Sequence, residues 1–186
     1  MYAKGYKRLF WGMVFISFNI NIGFINILPG FIGYISIYSG LCILSSQYKL
    51  YEKGKIPAVI LTLLTLKGIW HDPNSNILTG EIYNVGLLTL IIACVVIIIK
   101  IYLIYIICMG IYELCRERGL NNLMGSTISS MKFYLIISLI YLAYVPFSIN
   151  LYSEFRVIFI IIVGIIQIIA SISVALVFKK CKVLLT

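Results

Sequence analysis

The sequence predicts an all-α membrane protein, a polytopic bundle of six transmembrane helices with both chain ends in the cytoplasm. Of its 186 residues, 62% are hydrophobic and only 11% are charged, whereas soluble domains carry about 25% charged residues. The apolar residues fall in long blocks, and the block from Val157 to Phe178 contains no charge. A helix crosses the hydrocarbon core with about 20 apolar residues, so blocks of this length predict membrane spans.

The first two predicted spans, residues 9–22 and 29–46, form a hairpin. Pro29 suits the first turn of the second helix, because its missing N–H needs no partner there. Basic residues favour the cytoplasmic side of a membrane, and they flank both outer ends of this hairpin. These flanking residues are Lys4, Lys7, Arg8, Lys49, Lys53 and Lys55.

The third predicted span, residues 57–70, is short and covers only about 21 Å at 1.5 Å per residue. It requires local thinning of the bilayer to cross. The polar stretch 71–84 contains Asp72 and Glu81 but no lysine or arginine, which predicts a loop on the outer side. The fourth predicted span, residues 85–115, follows this loop and ends before Arg116.

A loop rich in asparagine, serine and glycine is predicted from Gly119 to Lys132, followed by the fifth span, 133–148, and the sixth, 157–178. Twelve of the fifteen lysine and arginine residues then fall on the cytoplasmic side. A five-span alternative, with 57–70 lying on the surface, places half of these basic groups on the wrong side. The charge distribution therefore favours six spans.

The net charge of +9 does not indicate nucleic-acid binding, because the basic residues lie between apolar spans and not on one soluble face. They are better explained by contacts with the lipid bilayer and its anionic headgroups. The five cysteines form no CxxC pair, and the single histidine, His71, lacks nearby partners for a zinc site or a catalytic triad. We therefore predict no metal, no cofactor and no enzymatic activity.

Lys100 is the most informative single residue, because it lies inside the fourth predicted span between isoleucines. A charge at the centre of a span costs about 2.5–3.5 kcal/mol on insertion scales. One interpretation is that Lys100 provides the counter-charge for an anionic ligand. The alternative is that the long fourth span places Lys100 near the cytoplasmic interface, where its side chain reaches water.

Other polar and aromatic residues are weaker candidates for ligand binding or for packing. Three asparagines interrupt the first hairpin, and they either line a cavity or cap the turn. Tyrosines on one face of the fourth span either contact a ligand or anchor the helix. Small residues beside a glutamine on the sixth span predict close helix packing. These candidates are Asn19, Asn21 and Asn26, then Tyr102 and Tyr105, and for packing Gly164, Gln167, Ser171 and Ala175.

Two resemblances accompany these observations. The stretch Asn26–Tyr34 resembles a segment of uncharacterised small polytopic membrane proteins of Gram-positive bacteria, which implies no activity. The chain length and six-span layout look like the substrate-binding subunits of energy-coupling-factor vitamin transporters, although the first span lacks their alanine-rich pattern. This likeness implies a non-catalytic subunit that binds a small-molecule ligand and assists transport.

The alternative function is a regulatory or scaffolding protein that acts through a membrane protein partner. It is favoured because the sequence indicates no ion pathway and no soluble domain. An excess of lysine over arginine and many isoleucine, asparagine and tyrosine residues indicate an AT-rich genome. The predicted location is therefore the plasma membrane of a bacterium.

Overall fold

The residues that the structure describes form six α-helices and one short β-ladder. The computed structural model describes residues 2–17, 21–22, 25–26, 30–66, 87–147 and 152–185. The helices are α1 (Tyr2–Ser17), α2 (Gly30–Leu44), α3 (Lys55–Thr65), α4 (Leu87–Glu117), α5 (Asn121–Phe147) and α6 (Ser153–Leu184). Between α1 and α2, β1 (Asn21–Ile22) pairs with β2 (Ile25–Asn26) in an antiparallel two-residue ladder, and a 3-10 segment, Lys49–Gly54, precedes α3. The prediction of an essentially all-helical chain is confirmed in this described part.

Three helices, α4, α5 and α6, are long and apolar enough to cross a membrane. Their 31, 27 and 32 residues correspond to lengths of about 46, 40 and 48 Å. The described parts of α1, α2 and α3 contain 16, 15 and 11 residues, so each is shorter than the hydrocarbon core of about 30 Å. The chain is therefore membrane-embedded. Three helices and not six meet the length criterion, and the six-span count and the orientation stay predictions.

The six helices close into a ring in chain order. Each helix packs against its neighbours in the sequence, α3 and the 3-10 segment both contact α4, and α6 returns to pack against α1. The largest side chains that this ring buries completely are Tyr6, Tyr51, Tyr134 and Phe178. Large apolar side chains on the outer faces stay exposed, which is the pattern expected where lipid covers the protein.

Glycines bring α1 and α2 unusually close together. Gly12 lies opposite Gly33. Gly5 lies opposite Gly40, seven residues before Gly12 on α1 and seven residues after Gly33 on α2. A Cβ atom added to Gly12 would lie 2.7 Å from the Gly33 carbonyl oxygen, and one added to Gly33 would lie 2.7 Å from the Gly12 carbonyl oxygen. Because helices in lipid gain little from hydrophobic association, close contact through small residues is a main source of their attraction.

One end of the ring is closed by hydrogen bonds between residues distant in the sequence. The Tyr6 hydroxyl donates to Gln47 Oε1 at 3.1 Å, and Gln47 Nε2 donates to the Leu185 carbonyl oxygen at 2.9 Å. The buried Tyr51 ring of the 3-10 segment fits against Gly110 of α4. We call this end the basic end. It carries Lys4, Lys7, Arg8, Lys49, Lys53, Lys55, Arg116, Arg118, Lys179, Lys180 and Lys182.

The largest difference from the predicted spans is at α5, which begins at Asn121 and not at residue 133. Gly119, with φ of +68°, ends α4 in a tight turn in which the Leu120 N–H donates to the Cys115 carbonyl oxygen at 2.9 Å. The segment predicted as a loop is helical because Leu123, Thr127 and Met131 form a buried stripe. Thr127 Oγ1 also donates to the Leu123 carbonyl oxygen at 2.7 Å.

At the other helices the predicted boundaries differ less. Helix α1 begins at Tyr2, before the predicted start at residue 9, because Gly5 and Tyr6 belong to the packed face. The fourth span, 85–115, corresponds to α4, and the sixth, 157–178, lies within the longer α6. Residues 18–20 of the first predicted span and 67–70 of the third lie outside the described residues, as does the predicted outer loop 71–84.

Candidate functional site

A cavity of about 300 Å³ lies between α2, α4, α5 and α6. We call it the Lys100 cavity, because Lys100 is the one charged residue in its described lining. The α4 wall consists of residues 93, 96, 97 and 100, whose spacing places them on one stripe of a helix. The complete described lining is Tyr34, Ala93, Val96, Ile97, Lys100, Ser138, Tyr141 and Gln167.

The polar residues of the cavity come from different helices but lie at one level. Lys100, Ser138 and Gln167 are each 17 residues from the basic-end terminus of their helix, namely Glu117, Asn121 and Leu184. At 1.5 Å per residue this distance is about 26 Å along each helix. The α4, α5 and α6 helices extend well beyond this level in both directions, so the cavity lies away from both ends of these helices.

Lys100 has no acidic neighbour in the described lining of the cavity. Its side chain is half-buried, and the described lining contains no aspartate or glutamate. An ion pair joins Arg116 to Glu113, far from the cavity at the basic end. An ammonium group at this depth is costly unless a partner compensates it, so the cavity is suited to a group that brings a negative charge.

Neutral hydrogen-bonding groups line the same cavity as Lys100. Gln167 Nε2 donates to Ser138 Oγ at 3.1 Å, which joins α6 to α5 in the cavity wall. The Tyr134 hydroxyl is fully buried and lies beside this pair. Tyr34 and Tyr141 contribute two more hydroxyl groups to the lining residues. The site therefore offers both donors and acceptors around one positive charge.

The polar groups of the described lining are hydroxyl groups, an amide and one ammonium group. The described lining contains no histidine, cysteine or carboxylate that could act as a general base for a nucleophile. Among the described residues, no three histidine, cysteine, aspartate or glutamate side chains are grouped as metal ligands. The described cysteines are unpaired, and Cys108, Cys115 and Cys181 are buried in the core of the ring.

The other residues suggested by the sequence lie apart from the cavity or outside the description. Tyr102 and Tyr105 are 49% and 42% exposed on the outer face of α4 and do not line the cavity. Asn19 lies outside the described residues. Asn21 and Asn26 pair through their backbones as partners in the β1–β2 ladder, and the description does not extend to their side chains.

The four residues proposed for helix packing occupy different environments. Ser171 and Ala175 are buried, each with 2% of its surface exposed. Gly164 is exposed, and a Cβ atom there would meet nothing within 4 Å. Gln167 joins α6 to α5 through Ser138 and also lines the Lys100 cavity. The presence of Gln167 in the cavity lining depends on how α6 packs against α5, which spacing along one helix does not reveal.

Comparisons with known proteins identify no relative of this chain. No family model matches the chain, and neither a curated protein nor a solved structure shows significant similarity to it. Any functional conclusion therefore depends on the residues and geometry of the Lys100 cavity.

The sequence alone did not single out Tyr34, Ser138 or Tyr141 as parts of one site with Lys100. Three of the four helices that line the cavity contribute only neutral residues, and such residues are common in membrane spans. The spacing of Ala93, Val96, Ile97 and Lys100 is a local signal for one wall of the cavity. It places small or medium apolar side chains on the same face of α4 as the charge.

Proposed function

We propose that this chain is a non-catalytic integral membrane protein that binds a small anionic solute in the Lys100 cavity, as a solute-binding or transport-associated subunit. The observation that carries the proposal is Lys100 itself, a cation in a cavity about 26 Å along α4 from Glu117. No acidic residue accompanies it in the described lining. A bound anion removes the cost of leaving this charge uncompensated.

The cavity has the general properties of a ligand site. Its volume of about 300 Å³ lies at the lower end of the range of roughly 300–1,000 Å³ for small-molecule sites. Its lining combines apolar side chains of α4 with a few polar groups from three other helices. Such a combination lets the apolar surface supply affinity while the polar groups select the ligand.

The orientation belongs to the same proposal. We place the basic end in the cytoplasm of a bacterium, with all six helices embedded in the plasma membrane and the short helices α1, α2 and α3 held by the long ones. The concentration of lysine and arginine at the basic end supports this orientation. Single cysteines introduced at Lys4 and Lys182 of a cysteine-free variant should react with an impermeant thiol reagent only after the cells are opened. Labelling of either position in intact cells would refute the orientation.

The binding proposal is tested on purified protein in nanodiscs with a panel of small organic anions. A ligand that binds the wild type should bind Lys100→Met at least tenfold more weakly, because its counter-charge is missing. Lys132→Met provides the matched control, since Lys132 is exposed on α5 and does not line the cavity. Neither change removes a described ion pair, so Lys132→Met should retain the thermal unfolding midpoint of the wild type. Lys100→Met should unfold at that midpoint or above it without ligand, because the uncompensated charge is gone.

Equal affinity of the wild type and Lys100→Met for every anion would contradict the proposal. In that case the regulatory or scaffolding function would gain support if a membrane protein partner co-purified in mild detergent. The basic end and the exposed outer helix faces would then be the surfaces to test for contact with that partner.

A further inference from the structure

We infer that the ligand of the Lys100 cavity is an amphipathic monoanion, namely a carboxylate attached to an apolar body. The whole ligand contains about ten to fifteen non-hydrogen atoms. The inference rests on the proposed function and specifies the class of solute. It follows from three properties of the described lining, namely the number of charges, the kinds of polar group and the size of the space.

The number of charges favours a monoanion. Lys100 is the one charged residue in the described lining, so one negative charge makes the filled cavity neutral. A phosphate monoester carries about −1.5 to −2 charges near neutral pH and would bring an uncompensated charge into the membrane. Buried charges without partners are strongly disfavoured. A carboxylate satisfies the charge balance and a phosphate does not.

The kinds of polar group in the lining suit a carboxylate. A carboxylate has two oxygens that together accept about four hydrogen bonds. The Lys100 ammonium group can supply donors from α4, while Tyr34 and Tyr141 have hydroxyl groups on α2 and α5. The Gln167 amide is already engaged with Ser138, which fixes this part of the wall before a ligand arrives.

The remaining space suits an apolar body of limited size. Ala93, Val96 and Ile97 continue the Lys100 stripe of α4 in the direction away from Glu117. The volume of about 300 Å³ equals about ten water molecules at roughly 30 Å³ each, and covalently bonded atoms pack somewhat more tightly. A two-chain lipid is far too large, whereas a short aliphatic or aromatic carboxylate fits.

The test uses hydrocinnamate and three relatives that each change one property. Hydrocinnamamide removes the charge, phenethylphosphonate raises it, and acetate removes the apolar body. Titrations with wild-type protein in nanodiscs, corrected with empty nanodiscs, should show hydrocinnamate binding at least tenfold more tightly than each relative. In Lys100→Met the preference for the carboxylate over the amide should disappear.

A second pair of variants tests the location without changing the charge. Ile97→Trp fills the cavity, so hydrocinnamate affinity should fall at least tenfold. Ile98→Trp places the same side chain on the outer face, where Ile98 is exposed, and should bind as the wild type does. Each variant is compared by its thermal unfolding midpoint, which for Ile98→Trp should match the wild type. Equal affinity in both variants would show that hydrocinnamate does not occupy this cavity and would overturn the inference.

The outcomes separate this inference from the proposed function. Two results would overturn the amphipathic monoanion, namely phenethylphosphonate binding more tightly than hydrocinnamate and acetate binding as tightly as hydrocinnamate. If binding still required Lys100 in these cases, the proposed anion site would remain supported. Binding that does not depend on Lys100 for any of the three anions would overturn both.

Discussion

Replacing Gly12 with alanine should destabilise the protein through the contact between α1 and α2. The added Cβ would lie 2.7 Å from the Gly33 carbonyl oxygen and 2.6 Å from Ile37 Cγ1. Ordinary contacts begin near 3.4 Å, so the helices must separate by about 0.7 Å at this point. The carbonyl oxygen belongs to a helix and cannot turn aside. Overpacking of this kind costs about 1–3 kcal/mol, and we expect Gly12→Ala to lower the free energy of unfolding by that amount.

Gly164→Ala is the matched control for this prediction. The substitution is the same and lies inside a helix, but the new Cβ meets nothing within 4 Å. Alanine is more favourable than glycine in a helix by about 1 kcal/mol, so this variant should be at least as stable as the wild type. The Gly12→Ala, Gly33→Ala double variant should lose less than the sum of the single losses, because one separation of the helices accommodates both methyl groups.

Reversible unfolding in mixed micelles with increasing denaturing detergent measures these differences. The reasoning would be refuted if Gly12→Ala and Gly164→Ala shifted the midpoint equally, since only Gly12 faces a neighbouring backbone. Strict additivity of Gly12→Ala and Gly33→Ala would also contradict a shared contact.

Three further predictions concern other contacts. Gly110→Ala should cost about 1–3 kcal/mol, because its Cβ would lie 2.6 Å from Tyr51 Cε1, and a smaller loss in a Tyr51→Leu background would identify that clash. A double-mutant cycle of Ser138→Ala and Gln167→Leu should give a coupling of at most about 1.7 kcal/mol, the upper range for hydrogen bonds in membranes; zero coupling would argue against the bond. Burial raises the pKa of Tyr51 well above its ordinary value, so the fold keeps the phenol protonated and loses stability as pH rises above about 10. Tyr51→Phe should reduce this alkaline loss in unfolding titrations, and an unchanged pH profile would exclude Tyr51 as a contributor.

A long uncharged block predicts that a helix is present, but the charges beside it do not mark where the helix ends. Helix α6 contains a long uncharged block and continues to Leu184, past Lys179. Helix α5 was predicted to begin too late, because asparagine and serine are common in loops. In the folded chain, Ser126 Oγ donates to the Asn122 carbonyl oxygen at 3.0 Å, which satisfies the side chain within the helix. Tertiary burial of neighbouring residues then outweighs the weak local preference.

The candidate site was predictable only in part. Lys100 stood out because a single charge in a long apolar block is rare and costly. Gln167 was recognised as an interhelical residue, but its place beside Lys100 depends on how α4, α5 and α6 pack together. Tyr102 lies two residues from Lys100 along the chain and yet on the opposite, exposed side of α4. Sequence spacing along one helix cannot determine which residues from other helices complete a site.

The contact between α1 and α6 determines the order in which the protein can assemble. The α1–α2 pair is local, so it can form while the ribosome is still making the later helices. The ring closes only when α6, the sixth helix in chain order among the described residues, reaches α1. The Gln47 bond to the Leu185 carbonyl oxygen belongs to the same final step, since it joins residues 138 positions apart. Because α6 also supplies Gln167 to the Lys100 cavity, the site is complete only after α6 has been made and has packed against α5.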